Sequence, residues 1–444
     1  MNRDFGMAGI VSLWVTKVSP MFRQACLVVA VIVRATACRA EAPFLTISEA
    51  VDEAQKHNPE IRALSAAVVS AHGELATAVT WSNPDLTTET GVRNIRSGSG
   101  SSASEFHGLY QLSQTIEFPG KRRLRRAVAE KNIEVQELAR TGFRNQLTIQ
   151  VRHAYYTILV SEEILALKEQ RLTLAKAFVE SARKKVTGGV AQEFDATKAE
   201  VEAIAAQKEL RDTQAQGVAA RAALNTLLGR EPRAELKVAG PLDMDVTLPD
   251  ETNLLREVSM RNPSLLVQAA EAERASLNVQ SVRRSRLPDF SVGPVVEYIK
   301  DEQTYDLGIS LPLPLWDQKK GEIASAAAEQ DKAEAELEVS RHEIIRAVTS
   351  AYHNLAAAKE SLTLFTPDLL ARLKTALDGA AQSYVEGRVS LLFYLETQRT
   401  YFDTQADYFD TLQKLYDAQA ELQAAVGMPL SELEKSTGKQ ENTK

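Results

Sequence analysis

The chain has 444 residues, a formal charge of −7, and 44% hydrophobic against 25% charged residues, the balance of a folded chain and not of a disordered one. That acidity argues against nucleic acid as a partner, since such binders carry a basic balance. Only 6% of the residues are aromatic, while Ala, Leu, Glu, Gln and Arg abound, a bias toward long helices packed through small side chains.

Arg23, an apolar run over 25–33 and the small-residue segment Ala35 to Ala42 follow the order of a secretory signal peptide. It is expected over residues 1–42, with Ala40-Glu41-Ala42 directing cleavage before Pro43 and Met21 standing beside Met1 as a candidate start. Nine apolar residues are too few to span a membrane as a helix. Both cysteines, Cys26 and Cys38, lie in this leader, so the mature chain is expected to hold no disulfide and no thiolate metal site. Ala35-Thr36-Ala37-Cys38 loosely resembles a lipobox, which would instead make Cys38 a lipidated N terminus. Beyond the leader no run of eighteen apolar residues occurs, so a membrane crossing would fall to a closed β-barrel.

The rest of the chain is duplicated. Asn58-Pro59 and Asn262-Pro263 open helical stretches that give way at Asn83-Pro84 and Leu287-Pro288, with a Pro-to-Pro spacing of 25 in both cases. Tyr155 and Tyr352 precede Gly229 and Gly427 by 74 and 75 residues. Several landmarks in one order at matching spacing mark a repeat. The first half is expected over 43–229 and the second over 251–427, with a Pro-containing linker at 230–250 and a tail at 428–444.

In chain order, proline suits a first helical turn, so helices are expected from Pro59 to Trp81 and from Pro263 to Arg286. Strand-type alternation follows, predicted at about 86–95, 106–118, 289–299 and 304–315. The clearest case sets Tyr305, Leu307, Ile309, Leu311 and Leu313 against Asp306, Gly308, Ser310 and Pro312, one greasy face and one small or polar face. The polar loop Ser97 to Ser102 joins the first pair. A proline-free run over 121–185 then predicts a helix of roughly 100 Å. Its apolar positions, among them Val135, Leu147, Val151, Ile158, Leu172 and Val179, recur at three- and four-residue steps, as in a coiled-coil seam. Gly188-Gly189 turns the chain, and a return helix is expected over 191–228. The second half repeats this with 318–384, kinked by Pro367, then Gly387 and 391–426.

The short helix and the return helix, 23 and 38 residues, nearly match the 65 of the long one. The long helix is thus expected to be flanked by two shorter helices laid end to end, with the strands at one end and the glycine turns at the other. The fold class is mainly α with a small β part, a rod of duplicated long-helix hairpins. Four strands cannot close a barrel by themselves, and about eight is the lower limit in membranes. Two chains would leave no aqueous lumen and three would supply twelve strands, so a homotrimer or larger ring is expected.

This order of elements resembles the TolC-like outer-membrane efflux factors over nearly the whole mature chain. Phe118-Pro119-Gly120-Lys121-Arg122, after a Gln-rich strand, is similar to their CzcC/CusC heavy-metal branch. The resemblance implies a trimeric transmembrane β-barrel continued by an α-helical tunnel through the periplasm. It also implies passive export and, as partners, a periplasmic adaptor and an inner-membrane RND-type pump. Tyr384-Val385-Glu386-Gly387 is similar to the family's periplasmic tip, and Gly189 with Asp195 six residues on fits that pattern. The family's entrance network adds an arginine and two acids, where this chain has Val389, Phe393 and Glu396. The entrance candidates are therefore Asp195, Tyr384 and Glu396, and Gly188, Gly189, Gly387 and Arg388 are candidates for adaptor docking.

Lys121, Arg122, Arg123, Arg125 and Arg126 begin a helix, where the macrodipole disfavours cations. They are either a solvated basic face or the point where the chain meets outer-membrane lipid head groups. The six histidines are scattered without ligand spacing, and no nucleophile, zinc or phosphate-loop signature occurs. No catalysis, cofactor or metal site is expected. The competing readings are a periplasmic helical-hairpin adaptor, ordinarily with one hairpin and not two, and a drug-efflux or type I secretion channel.

Overall fold

The computed structural model describes residues 44–96, 102–189, 192–242 and 248–430. The expected leader with Cys38, the loop tip at 97–101, Ala191 and the tail beyond 430 lie outside the described residues. The chain divides into two units. In the smaller, the described residues are 44–45 and Glu235–Lys237, and the Leu45 N–H donates to the Lys237 carbonyl at 2.9 Å. The larger holds every element described below.

Two helices precede the proline-started ones. Helix α1 (Ile47–His57) begins at Thr46, whose hydroxyl and Glu49 form a reciprocal capping box. Helix α2 (Pro59–Val79) follows after a single residue, Asn58, whose side chain accepts from the Glu60 N–H. Strands β1 (Asp85–Arg96) and β2 (Ser102–Ile116) lead into helix α3 (Lys121–Thr187), 67 residues without interruption. Helix α4 (Glu193–Leu228) returns. The second half opens with α5 (Glu251–Arg261) and α6 (Pro263–Ser285), again separated by one asparagine, Asn262. Strands β3 (Phe290–Ile299) and β4 (Glu302–Ser310) come next. Helices α7 (Lys320–Thr363), α8 (Pro367–Val385) and α9 (Leu391–Val426) complete the second half.

Helices α2 and α4 lie end to end along α3. Near one end, Asn132 of α3 donates to Glu74 of α2 at 2.9 Å. Along the other part, Arg171 of α3 is held by Glu202 and Glu209 of α4 at 2.6 and 2.9 Å. The junction is an asparagine clasp: the Asn58 amide caps α2 and donates to the Leu227 carbonyl at 3.0 Å, at the end of α4. Asn262 repeats the device, capping α6 through the Ser264 and Leu265 N–H groups and donating to Ala425 and Val426 of α9. This is the physical content of the repeated Asn-Pro and of the glycines far downstream. Gly229 and Gly427 end α4 and α9 in the left-handed conformation. There the chain presses so close that an added Cβ would sit 2.6 Å from His57 backbone and from Pro263, respectively.

Several boundaries differ from the sequence reading. The helix expected over 318–384 is two helices, because Pro367 takes the first position of α8, capped by Thr366, and its ring forbids the preceding carbonyl bond. The strand expected to reach 315 leaves the ladder after Ser310, where Pro312 and Pro314 lack the N–H to continue it. The tail expected from 428 begins as core: Met428 and Leu430 are buried against Leu254, Val258, Leu355 and Leu422. Helices α1 and α5, 11 residues each, are additional to the helices expected from the sequence.

Candidate functional site

The four strands form one antiparallel sheet in the order β1-β2-β3-β4, so the β2–β3 pairing joins the two halves of the chain. Its register sorts the side chains cleanly, because alternate residues of a strand face opposite ways. Leu86, Val92, Phe106, Tyr110, Leu112, Val292, Val296, Tyr305, Leu307 and Ile309 share one face. Tyr305, Leu307 and Ile309 are about 70% exposed (72, 69 and 70%), which in water would be an unusually large bare apolar area. On the other face His107 Nε2 meets Glu297 at 3.0 Å, the Thr115 and Ser291 hydroxyls bond at 3.0 Å, and Lys300 approaches Glu105 at 3.5 Å. One face suits lipid and the other water. Strands β1 and β4 each pair on one side only, and such edges cannot stay open inside a bilayer.

The basic cluster stands where sheet becomes helix, and its members do different things. Lys121 is bonded to Asp289 at 2.7 Å, and the same carboxylate oxygen accepts the Phe118 N–H. Arg125 grips Glu117 with two bonds of 2.7 and 3.1 Å and donates to the Ala78 carbonyl. These two residues tie strand ends to helix ends and account for cations tolerated at a helix start. Arg122 lies over the Trp81 ring at 4.2 Å. Among the described residues Arg126 pairs only with Glu130, one turn on, both half exposed. Arg123 is exposed and makes no ion pair among the described residues.

The opposite end holds the glycine turns. Gly189 and Gly387 take φ values of 71° and 75°, where an L side chain is strained, and a Cβ there would meet nothing. The backbone turn alone calls for glycine. Gly188 ends α3 with φ −79°. Arg388 pairs with Glu386 beside it.

Tyr384 is buried against Phe178 of α3 and Tyr394 of α9, with ring centroids 5.0 and 5.8 Å away. Lys185 of α3 places its ammonium 3.7 Å from the Tyr384 ring centre and donates to the Tyr384 carbonyl. Burial first, and then the charge of Asp195, push the Tyr384 phenol above its ordinary pKa. Asp195 itself accepts from the Gln192 N–H at the start of α4. The structure thus brings Asp195 near Tyr384 but leaves Glu396 on an exposed face of α9 with no ion pair among the described residues. Sequence reasoning missed Lys185, Phe178 and Tyr394. Lys184 and Lys185 carried one signal, cations in a last helical turn, but the partner lies 199 residues away. Apolar side chains are also bare here: Phe194, Val385, Leu392 and Phe393 are all more than half exposed.

Among the described residues no helix is long and apolar enough to cross a membrane, and no three His, Cys, Asp or Glu side chains gather as a metal group.

The chain matches the model of the family described as outer membrane efflux protein over residues 50–230 and 254–428, one match on each half. It is 26% identical over 358 residues to the cobalt-zinc-cadmium resistance protein CzcC of Cupriavidus metallidurans, covering 80% of this chain and 84% of that one. It is equally identical over 343 residues to the nickel-cobalt-cadmium resistance protein NccC of Alcaligenes xylosoxydans, covering 75% of each. The fold is similar to that of the outer membrane protein VceC from Vibrio cholerae, with a TM-score of 0.70 at 17% identity, covering 86% of this chain and 96% of that one. Duplicated helix hairpins, a shared sheet with one greasy face and the match of both halves agree: the chain belongs to the outer membrane efflux protein family, a transport channel of the outer membrane and not an enzyme.

Proposed function

We propose that three copies of the chain close a twelve-stranded barrel in the outer membrane and continue it as a helical tunnel into the periplasm. Through this conduit heavy-metal cations, received from an inner-membrane RND-type pump by way of a periplasmic adaptor, leave the cell. The observation that carries the reading is the four-stranded sheet, with one exposed apolar face and two edges that each lack a partner. Strands of 9 to 15 residues are long enough to cross a bilayer when tilted. The metal cargo is favoured by the relatives named for cobalt, zinc, cadmium and nickel resistance. With no group of metal ligands among the described residues, selectivity falls to the pump, since a soft or borderline metal site needs grouped His, Cys or Met.

The tip is the proposed entrance. Tyr384 and Asp195 hold it narrow, Glu396 faces the passage, and Gly188, Gly189, Gly387 and Arg388 with the bare Phe194 and Leu392 receive the adaptor. The basic cluster marks the level of the lipid head groups. The mass of the detergent-extracted oligomer tests the assembly: a trimer from the outer membrane supports it, and a soluble monomer defeats it. A deletion strain challenged with zinc, cobalt, cadmium and nickel tests the cargo, and unchanged tolerance to all four rules out metal export.

A further inference from the structure

Beside the sheet–helix junction lies a cavity of about 620 Å³ whose lining divides by chemistry. Trp81, Ile116 and Phe118 supply its apolar lining, and Arg122, Arg123 and Arg126, with Glu117, its charged lining. Two features of the neighbourhood separate this cavity from an ordinary basic surface. First, the cations that could have been neutralised internally already are: Lys121 is spent on Asp289 and Arg125 on Glu117. Arg122 is stacked on Trp81 with no carboxylate partner among the described residues, Arg126 has only an exposed partner, and Arg123 has none. The cavity therefore gathers three guanidiniums, of which only Arg126 has a carboxylate partner among the described residues, while the one acid in its lining, Glu117, is taken by Arg125. Second, Ile116 lies on β2 an even number of residues from Phe106, Tyr110 and Leu112, so the apolar lining continues the exposed greasy face of the sheet. An occupant must then be anionic at one end and apolar at the other, and must reach the site along the lipid-facing side.

We propose that this cavity binds the phosphodiester head group of an anionic glycerophospholipid from the periplasmic leaflet. Arg123 and Arg126 hold the phosphate, Arg122 and Trp81 form the floor, and the acyl chains run along Ile116 and Leu112. Guanidinium matches a phosphate's paired oxygens, and basic side chains at a membrane surface each favour anionic lipid. The inference rests on the membrane orientation proposed above, and its test keeps the two apart.

Trp81 is itself the probe. The full-length protein is reconstituted in phosphatidylcholine vesicles containing a tenth of brominated phosphatidylglycerol or, separately, of brominated phosphatidylcholine. Trp81 emission is taken as the difference between the chain and its Trp81→Phe variant, and Trp316 emission likewise from Trp316→Phe. The site predicts that the brominated anionic lipid quenches Trp81 with a preference of about thirtyfold in effective affinity, the order expected from two surface arginines. Arg123→Gln combined with Arg126→Gln, which leaves the Asp289 and Glu117 pairs and the Trp81 stack in place, should return Trp81 to the neutral-lipid value. Millimolar inorganic phosphate should not compete. Equal quenching by both lipids, a preference that survives the double variant, or displacement by free phosphate would each overturn the proposal. Trp316, 91% exposed just past β4, reports insertion separately. If it is quenched while Trp81 shows no preference, the site fails and the membrane reading stands. If neither is quenched, the membrane orientation fails and the site with it.

Discussion

The two halves of the chain share one plan but not one environment. The long helix of the first half, α3, is unbroken and is packed by α2, α4, α6 and α9, so its seam from Val135 to Ala182 is buried along most of its length. Its counterpart α7 touches α5, α6 and α9, buries only Ala326, Val348, Ala351 and Leu355, and stops at Thr363. In the sheet the division runs within each half instead, since β2 and β3 are paired on both sides while β1 and β4 are edges with most of their residues exposed. A duplicated sequence thus yields one central and one peripheral long helix, and from each half one inner and one edge strand.

The sharpest way to break this comparison is in the sheet. At Gly293 of β3 an added Cβ would fall 1.8 Å from the Leu112 carbonyl oxygen, whereas at Gly91 of β1 it would meet nothing within 4 Å. Gly293→Ala is expected to abolish the assembled outer-membrane oligomer, because backbone must move to admit it. Gly91→Ala should leave oligomer yield on a gel within normal variation. Equal yields from the two variants would contradict the central position of the β2–β3 seam.

The asparagine clasps come next. Asn262 is 2% exposed and makes four bonds, while Asn58 is 8% exposed and makes two. Loss of a cap together with buried carbonyl partners should cost about 2–4 kcal/mol in Asn262→Ala and about 1–2 kcal/mol in Asn58→Ala. Thermal unfolding followed by circular dichroism would rank them, and a larger loss at Asn58 would reverse the assignment of the tighter junction.

At the tips, Lys185→Gln removes the cation over Tyr384, worth about 0.5–2 kcal/mol. Single-channel conductance in planar bilayers should rise in the variant if this contact holds the entrance narrow, and an unchanged conductance would count against that role.

The smallest effect is one of pH. Burial raises the Tyr394 phenol, and burial followed by Asp195 raises Tyr384, above the ordinary value of 10.0. The folded tip therefore favours the neutral rings. Their contribution is fully present below the ordinary value and is lost as pH rises through the higher folded values. Hydrogen exchange, corrected for its intrinsic pH dependence, should show the α8–α9 tip loosening above pH 10 before the α3–α4 tip does. Phe178, the aromatic contributed by α3, has nothing to titrate.

The repeat, the helix and strand types and the long seam were legible because they depend on local chemistry and on period. Proline starts helices, glycine ends them, and a side chain every three or four residues on one helix face must be apolar if that face packs. Val135, Leu147, Val151, Ile158, Leu172 and Val179 are buried for that reason. Length alone foretold that two shorter helices would lie along a long one. What only tertiary packing decided was which residues meet across the duplication. Nothing near Asp289 announces Lys121, and nothing near Lys185 announces Tyr384. Whether Pro367 kinks a helix or splits it depended on whether its surroundings could repair the lost bond. The basic cluster shows the limit most plainly: five cations in six positions look alike in a sequence, and only the placement of Asp289, Glu117 and Trp81 separates those that brace the fold from those left facing outward.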